Sequence, residues 1–183
     1  MKTKVFITST LLGMTLFLTS CGGDPKNSQE YKDLQAEMDK IKAADSTDAM
    51  QVEMYKKMNY DFIAGKTADV MAGLDDKYED HNMDTMMTKK KGKEGMAEMM
   101  KMIIASNSDM KVSFTKVVSE GDMVYGFGKM SGKNTGDMGP MKATNKSYDV
   151  DFFDAIRYQN GKMIEHWGLF DNYAMMMQLG MMK

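Results

Sequence analysis

The chain has 183 residues, of which 24 are basic and 26 acidic, giving a formal net charge of -2. This length fits one domain plus a leader, and the absence of a basic excess argues against nucleic acid as a partner. Lys89-Lys90-Lys91 with Lys93 is a local run of positive charge, which is typical of a solvated loop before a helix.

The N-terminus has the pattern of a bacterial signal peptide. Lys2 and Lys4 precede an apolar stretch from Val5 to Leu18, which is shorter than the roughly 20 residues of a membrane span. Leu18-Thr19-Ser20-Cys21 resembles a lipobox, so residues 1–20 are predicted to be cleaved and Cys21 to be lipidated. The alternative is a spare thiol beside a cleaved signal. The preferred interpretation predicts a membrane-anchored lipoprotein of the cell envelope, facing the periplasm or the cell surface.

Methionine is the unusual feature of the composition, with 25 residues in the chain. Thioethers are soft ligands, so one interpretation is a buffer for Cu(I) or for oxidants. The favoured interpretation is that methionine fills core positions, because few leucines follow Cys21 and methionine is a tolerant core residue. Those leucines are Leu34, Leu74, Leu169 and Leu179.

The first half of the chain is predicted to be mainly helical. Ser28 to Ala44 has apolar residues spaced by three and four, and Asp45-Ser46-Thr47-Asp48 is predicted to end that helix and cap a second one. The second helix runs to about Ala64, and Gly65 ends it in the left-handed conformation. A short helix follows, from Thr67 or Asp69 to Gly73.

The second half changes to strands after one more helix. The predicted elements are a strand from Leu74 to Asn82, a helix from Gly95 to Ser106, strands Lys111–Ser119 and Met123–Met130, a polar loop Gly132–Lys146, strands Ser147–Tyr158 and Lys162–Phe170, and a helix from Asn172 to Met182. Helices followed by an antiparallel meander predict an α+β fold, with three helices on the concave face of a curved sheet and an extra N-terminal helix.

The last hairpin carries the most informative residues. Asn160-Gly161 predicts a tight turn, and the strand after it contains the only tryptophan of the chain, Trp167. If no bulge intervenes, Glu165, Trp167 and Asp171 share one face of that strand, and His166 points the other way, outwards or to a dimer contact. Carboxylates beside a tryptophan are suited to a pocket for proton chemistry or for a ligand with a polar end.

The order of the elements resembles the nuclear-transport-factor-2-like cone fold, and four motifs resemble its SnoaL-like polyketide cyclase group. The motifs are Tyr78-Glu79-Asp80-His81-Asn82, Val117-Val118-Ser119-Glu120-Gly121-Asp122-Met123-Val124, Asp154-Ala155-Ile156-Arg157, and Asn160 to Trp167 followed by Asp171. The resemblance covers roughly Asp48 to Met182. The domain is therefore expected over residues 48–183, after a lipid-anchored tether and helix over 21–47. Met83, where the group usually has proline after His-Asn, and the long loop Gly132–Lys146 depart from its pattern.

The resemblance implies an apolar cavity with an acid/base carboxylate near the end of the tryptophan-bearing strand. In this chain that residue is Asp171, with His81 as a hydrogen-bond donor to a developing enolate. The resemblance also implies that His81 and Trp167 line the pocket. Asp154 and Tyr158 share one strand face and are candidates for ligand binding or for polar groups behind the pocket, and Phe62 is a further candidate for ligand binding. Burial raises the pKa of a carboxyl group and suits it to proton transfer near neutral pH. Ketosteroid isomerase, an enzyme of the same superfamily of folds, uses an aspartate base in such a cavity.

Simpler interpretations exist for the same residues. Asp171 is also well placed to cap the last helix, and Asp154 with Arg157 to form a structural ion pair. His81 beside Glu79, Asp80 and Asp84 lacks the ligand spacing of a metal site, so no metal is expected. No cofactor motif is present, and none is expected.

Two functions from different classes remain open. One is a cofactor-free cyclase or isomerase acting on a small apolar carbonyl compound, and the other is a non-catalytic lipoprotein that binds a small apolar ligand in the same cavity. The methionine-based buffer is the third. The partners expected are this ligand, the membrane through the lipid anchor, and a second copy of the chain in a homodimer.

Overall fold

The computed structural model describes residues 29–82 and 88–182. The signal peptide, Cys21 and the tether lie outside the described residues. Contacts between Cα atoms divide the chain into two units, with the boundary between Asp39 and Lys40. The described helices and strands are α1 Gln29–Ile63, α2 Thr67–Gly73, β1 Leu74–Asp80, α3 Gly92–Ser106, β2 Asn107–Glu120, β3 Met123–Asn134, β4 Ser147–Gln159, β5 Lys162–Phe170 and α4 Asn172–Leu179. In these residues no helix is long and apolar enough to cross a membrane.

The predicted break at Asp45 to Asp48 is wrong, because α1 runs without interruption from Gln29 to Ile63. Ser, Thr and Asp disfavour a helix interior by less than about 1 kcal/mol each, so neighbouring residues can carry the helix through them. Thr47 also bonds within the helix, where its Oγ1 donates to the carbonyl oxygen of Ala43 at 3.0 Å.

The five strands form one sheet in the order β1-β5-β4-β3-β2. Strands β2 to β5 pair antiparallel, as the meander predicts, and β1 pairs parallel with β5. The predicted α+β fold with a curved, unclosed sheet and an N-terminal helix is confirmed, and β1 makes the sheet a mixed one. The parallel pairing has a functional consequence, because it brings Asp80 opposite His166.

The Asn160-Gly161 turn forms as predicted, with φ of 52° and 73°. Both values lie in the left-handed region, which Asn and Gly tolerate better than other residues. The adjoining strands are long, and the even-numbered residues of β4 from Tyr148 to Tyr158 are buried against the helices. One residue of that buried series, Asp154, is charged.

A β-bulge in β5 decides which residues of this strand face the helices. Tyr158 pairs with Met163, but the next pair is Arg157 with Glu165, so Ile164 is the extra residue. An extra residue exchanges the two faces of the strand beyond it. His166 and Gly168 therefore face the helices, and Trp167 faces away from them.

The main core lies between the sheet and the helices. Its largest fully buried side chains include Tyr55, Leu74 and Ile156, and methionines such as Met96 and Met163 pack with them. Other methionines are exposed, among them Met50 and Met177. The methionine side chains thus divide between core and surface.

Candidate functional site

A cavity of about 400 Å³ lies between the helices and the concave face of the sheet. Its wall is mainly apolar, with Phe62 from α1 and Phe170 at the end of β5. Seven methionines contribute to the same wall: Met58, Met96, Met99, Met130, Met138, Met163 and Met175. A cavity of this size and character suits a small organic molecule.

Three ionisable side chains form a buried cluster on this wall, which we call the Asp80–His166–Asp154 cluster. His166 lies between the two carboxylates, with Nδ1 2.9 Å from Asp80 Oδ2 and Nε2 3.5 Å from Asp154 Oδ1. The side chains of Asp80, Asp154 and His166 are 3%, 8% and 16% exposed. Charged groups this far from water need partners, and each carboxylate finds one in the imidazole.

Two buried tyrosines hold the carboxylates from behind. The Tyr78 hydroxyl donates to Asp80 Oδ2 at 3.1 Å, and the Tyr55 hydroxyl donates to Asp154 Oδ2 at 2.9 Å. The backbone N–H of Asn82 donates to the other oxygen of Asp80 at 3.0 Å. Both oxygens of Asp80 are thus occupied, whereas Tyr55 occupies a single oxygen of Asp154.

The electrostatics of the cluster favour a protonated imidazole. Burial alone lowers the pKa of His166, but pairing with Asp154 and Asp80 outweighs it and raises the pKa to about 9. Burial raises the pKa of Asp80, yet the hydrogen bond and charge of His166 bring it below its usual value. Burial and the Asp154 carboxylate raise the pKa of Tyr55, which keeps its hydroxyl protonated. At neutral pH His166 is therefore an imidazolium.

The second oxygen of Asp154 has unused capacity. Oδ1 is buried and accepts no hydrogen bond from any described residue, and the ion pair with His166 Nε2 at 3.5 Å is longer than a normal hydrogen bond. Buried polar atoms without a hydrogen bond are rare in proteins and call for an explanation. A ligand in the cavity would supply the missing donor.

Glycines flank Asp154 on both neighbouring strands. Gly126 on β3 and Gly168 on β5 are its register partners. A Cβ at Gly126 would overlap the hydroxyl of Tyr55, so this glycine leaves the space that Tyr55 fills. A Cβ at Gly168 would lie 2.7 Å from His166 Cε1 and 3.3 Å from Asp154 Oδ1, so this glycine leaves the space that the imidazole of His166 fills. Gly168 therefore lets the imidazole lie close to the strand, and it lines the cavity beside the cluster.

The predicted residues are divided between several places. Asp154 and Phe62 line the cavity. Tyr158 is buried in the core beside it, and its hydroxyl bonds to no described residue. Asp171 is exposed, lies outside the cavity lining, and accepts a hydrogen bond from the N–H of Ala174 at 2.8 Å as the N-cap of α4. The position of Asp171 thus agrees with the alternative that it caps the last helix.

His81 and Trp167 meet on the opposite face of the sheet. Their rings stack in parallel with centroids 4.4 Å apart, and neither residue lines the cavity. Glu165 lies on this face too, 3.4 Å from His81 Nε2 and 3.0 Å from an Arg157 nitrogen. The cavity-facing role expected for His81 and Trp167 is therefore not supported by their positions.

The prediction that His166 points outwards is wrong, and the bulge at Ile164 is the reason. Without it, regular alternation from the turn would put Glu165 and Trp167 beside Asp154. The sequence did not indicate Asp80 either, because its contact with His166 depends on the parallel pairing of β1 with β5, and the predicted meander contained no parallel pair. A signal for the site existed in β4, where Asp154 interrupts a series of apolar side chains at alternate positions.

Metal ligands do not cluster in residues 29–82 and 88–182. No group of three or more His, Cys, Asp or Glu side chains there has a geometry suited to a metal ion. The cluster is better suited to moving or binding protons, because its carboxylates are already paired with an imidazolium.

Comparison with known proteins places this fold. The chain is similar to TsrD from Streptomyces laurentii, with 19% identity, a TM-score of 0.62, and coverage of 71% of this chain and 97% of that one. It is also similar to wild-type IdmH from Streptomyces antibioticus, with 19% identity, a TM-score of 0.61, and coverage of 70% of this chain and 96% of that one. A third similar structure is a SnoaL-like polyketide cyclase from Agrobacterium tumefaciens strain C58, with 14% identity, a TM-score of 0.57, and coverage of 69% of this chain and 95% of that one. At these identities the likeness establishes the fold alone. A search among curated proteins gave no match.

The family assignment comes from the sequence itself. The family model described as SnoaL-like polyketide cyclase matches residues 52–179, which include α2 to α4, all five strands and most of the second half of α1. The chain therefore belongs to the SnoaL-like polyketide cyclase family.

Proposed function

We propose that this domain binds a small, mainly apolar carbonyl compound in its cavity and transfers a proton on it without a cofactor. The reaction class is aldol cyclisation or isomerisation. The observation that carries the proposal is Asp154 Oδ1, a buried carboxylate oxygen with no hydrogen bond from the described residues, placed beside His166 on an apolar wall.

The chemistry follows from the roles of the two groups. Asp154 accepts a proton from the carbon next to the carbonyl, and the electrons of that C–H bond move into an enolate. His166 carries the positive charge that offsets the enolate, because its pKa of about 9 keeps it protonated at neutral pH. Asp154 then returns the proton to the product at another atom. Asp80 and Tyr55 position these groups.

The family resemblance implies that Asp171 is the base. We propose that the base is Asp154 in its place. The Asp171 carboxylate is exposed and committed to the N-cap of α4, whereas Asp154 lines the cavity. A base must reach the proton that it removes, and of these two carboxylates only that of Asp154 lies on the cavity wall.

A slow exchange reaction tests this function without the natural substrate. The full chain, held in lipid nanodiscs, is incubated with α-tetralone in deuterium oxide, and proton NMR follows loss of the signal beside the carbonyl. We expect the wild type to accelerate exchange and Asp154→Asn to lose about a hundredfold or more of that acceleration. Asp171→Asn is the matched control, since asparagine also caps helices well. Equal exchange by wild type and Asp154→Asn would refute Asp154 as the base.

Binding without catalysis is the second candidate. Both nitrogens of the His166 imidazole are paired with carboxylates, and such a pairing is also typical of an ion pair that only stabilises the fold. This observation favours binding without catalysis. Binding of α-tetralone by the wild type with no acceleration of exchange would select this function.

We also propose that the domain is held in the cell envelope by a lipid on Cys21 after removal of residues 1–20. The support is the sequence Leu18-Thr19-Ser20-Cys21 after a short apolar stretch. The mass of the N-terminal peptide tests this proposal, because diacylglycerol on Cys21 and its loss in Cys21→Ala are directly measurable.

A further inference from the structure

We infer that the cavity selects its ligand by charge: it takes apolar molecules whose polar end is a neutral or cationic hydrogen-bond donor, and it rejects carboxylates and phosphates. This inference rests on the proposed function only in assuming that the cavity is a binding site. The class of ligand is an apolar molecule that carries, beside any carbonyl group, a hydroxyl, phenol or protonated amine whose O–H or N–H is directed at Asp154.

The wall of the cavity has more acidic than basic side chains. Among the described residues that line the cavity, the ionisable side chains are Asp80, Asp154, His166 and Tyr148, and no lysine or arginine is present. Two carboxyl groups against one imidazole give this wall an excess of acidic over basic groups. A carboxylate ligand would enter a buried, apolar space against that excess.

The side chain best suited to binding an anion lies away from the cavity. Arginine binds carboxylate and phosphate through two parallel N–H bonds, and this chain has one arginine, Arg157. Arg157 lies on the opposite face of the sheet, where it pairs with Glu165 at 3.0 Å and with Asp122 at 3.7 Å. It therefore cannot serve a ligand in the cavity.

The cluster contains an acceptor without a hydrogen-bond donor. Asp154 Oδ1 is an acceptor without a donor among the described residues, and the side chain is 8% exposed. A ligand O–H or N–H satisfies it, whereas a ligand oxygen that only accepts leaves it unpaired. His166 Nε2 lies 3.5 Å from this oxygen, and a carboxylate oxygen has two lone pairs, so a ligand donor can bind to it beside the imidazole.

The cluster is reachable from the cavity, because Asp154, His166 and Gly168 all line it. Gly168 pairs directly with Asp154 in the sheet, and an added Cβ there would lie 3.3 Å from Oδ1 and 3.0 Å from His166 Nε2, so alanine would displace the imidazole. The polar end of the ligand approaches Asp154 from the cavity side. The apolar body then lies against methionine and phenylalanine side chains such as Met99, Phe62 and Phe170.

The test compares probes with one ring system and different polar ends. Isothermal titration calorimetry measures binding of β-naphthylmethanol, β-naphthylmethylamine and β-naphthoate to the full chain in zwitterionic nanodiscs, with empty nanodiscs as the blank. We expect the alcohol and the ammonium to bind at least about tenfold more tightly than the carboxylate, since one net charge in a poorly hydrated site is sufficient for that difference.

Variants assign the preference to Asp154. In Asp154→Asn the advantage of the ammonium over the carboxylate should fall by about tenfold or more, because the neutral amide removes one carboxylate charge. Asp151→Asn is the matched control, since it removes a carboxylate from the same strand on the opposite face, where Asp151 pairs with Lys129 at 3.0 Å. Gly168→Ala should weaken the alcohol and the ammonium together.

The outcomes separate this inference from the proposed function. Naphthoate binding as tightly as the alcohol would overturn the charge selection while leaving the cavity as a binding site. An unchanged preference in Asp154→Asn would overturn the assignment to Asp154. If none of the probes binds, the cavity is no site for molecules of this size, and both proposals fail. Selective binding without tetralone exchange would keep the inference and remove the catalytic proposal.

Discussion

His166 illustrates how neighbours at the scale of single residues override a side chain's usual behaviour. It is buried on an apolar wall, a setting that ordinarily favours the neutral imidazole. Two carboxylates, one from β1 and one from β4, reverse this preference and raise its pKa to about 9. The same pairing fixes the ring in the orientation that the proposed chemistry needs.

This shift predicts a pH dependence of stability. The folded-state pKa of about 9 lies above the ordinary value of 6.5, so His166 stabilises the fold fully below about pH 6.5 and loses this contribution as pH rises through about 9. We expect the difference in free energy of unfolding between wild type and His166→Gln to shrink between about pH 6 and about pH 10. Denaturant unfolding of both chains measures it. NMR titration of His166 with a midpoint at or below 6.5 would contradict the assignment.

Sequence reasoning reached Asp154 and missed its partners, for a reason that lies in single residues. The side chain of Ile164 gives no indication that a bulge forms at this residue, and the turn before it is regular. The register of β5 is set by pairing with β4 and β1 together, which are far apart in sequence. Alternation could therefore predict that His166 and Trp167 take opposite faces, but could not say which face holds the cavity.

At the scale of elements, α4 closes one side of the cavity and depends on its two ends. Asp171 caps its N-terminus, and Gly180 follows its C-terminus with φ of 72°. Met175 and Leu179 from this helix line the cavity. The cap therefore supports the site without touching a ligand.

The cap can be separated from catalysis by two substitutions at one position. Asp171→Ala should lower the free energy of unfolding by about 1 kcal/mol, because the N–H of Ala174 loses its acceptor. Asp171→Asn should change stability little, because asparagine caps as well as aspartate. Thermal and denaturant unfolding of the two variants measure the contrast. Equal losses in both would show that the charge of Asp171 has a role beyond capping.

The elements themselves were largely predictable, since periodicity, Gly65 and the Asn160-Gly161 turn mark most of their ends. The continuity of α1 through Asp45 to Asp48 was not predictable, because polar residues suited to a cap also occur inside helices when flanking residues are strong helix formers. The parallel pairing of β1 with β5 could not be predicted either, since the local sequence of Leu74 to Asp80 does not indicate which strand it pairs with.

At the scale of the whole molecule, the outer face of the sheet presents a row of apolar side chains. Phe127, Phe153 and Leu169 are register neighbours on three strands, and they are 41%, 45% and 60% exposed. We propose that this row forms part of a homodimer interface, since adjacent exposed apolar side chains are typical of association sites.

A charge in the middle of this row tests the dimer. Phe153→Glu should shift the chain to monomers, because pairing two copies would bury a carboxylate in each. Analytical ultracentrifugation of the Cys21→Ala chain, which carries no lipid and needs no nanodisc, measures the mass. Lys116→Glu, at the end of the same row, is the control with a smaller expected effect. A chain that is monomeric throughout without the Phe153 substitution would refute the proposal.

The parallel pair of β1 and β5 has a further consequence for how the protein reaches its native state. Asp80 and His166 are 86 positions apart, and Tyr55 and Asp154 are 99 apart. Contacts of such long range form late, because the intervening chain must first lose much of its freedom. During synthesis, β1 emerges from the ribosome well before the strand that will hold it. The edge that carries Asp80 is thus expected to wait for the final hairpin, and the cavity to exist only after nearly the entire domain has been made.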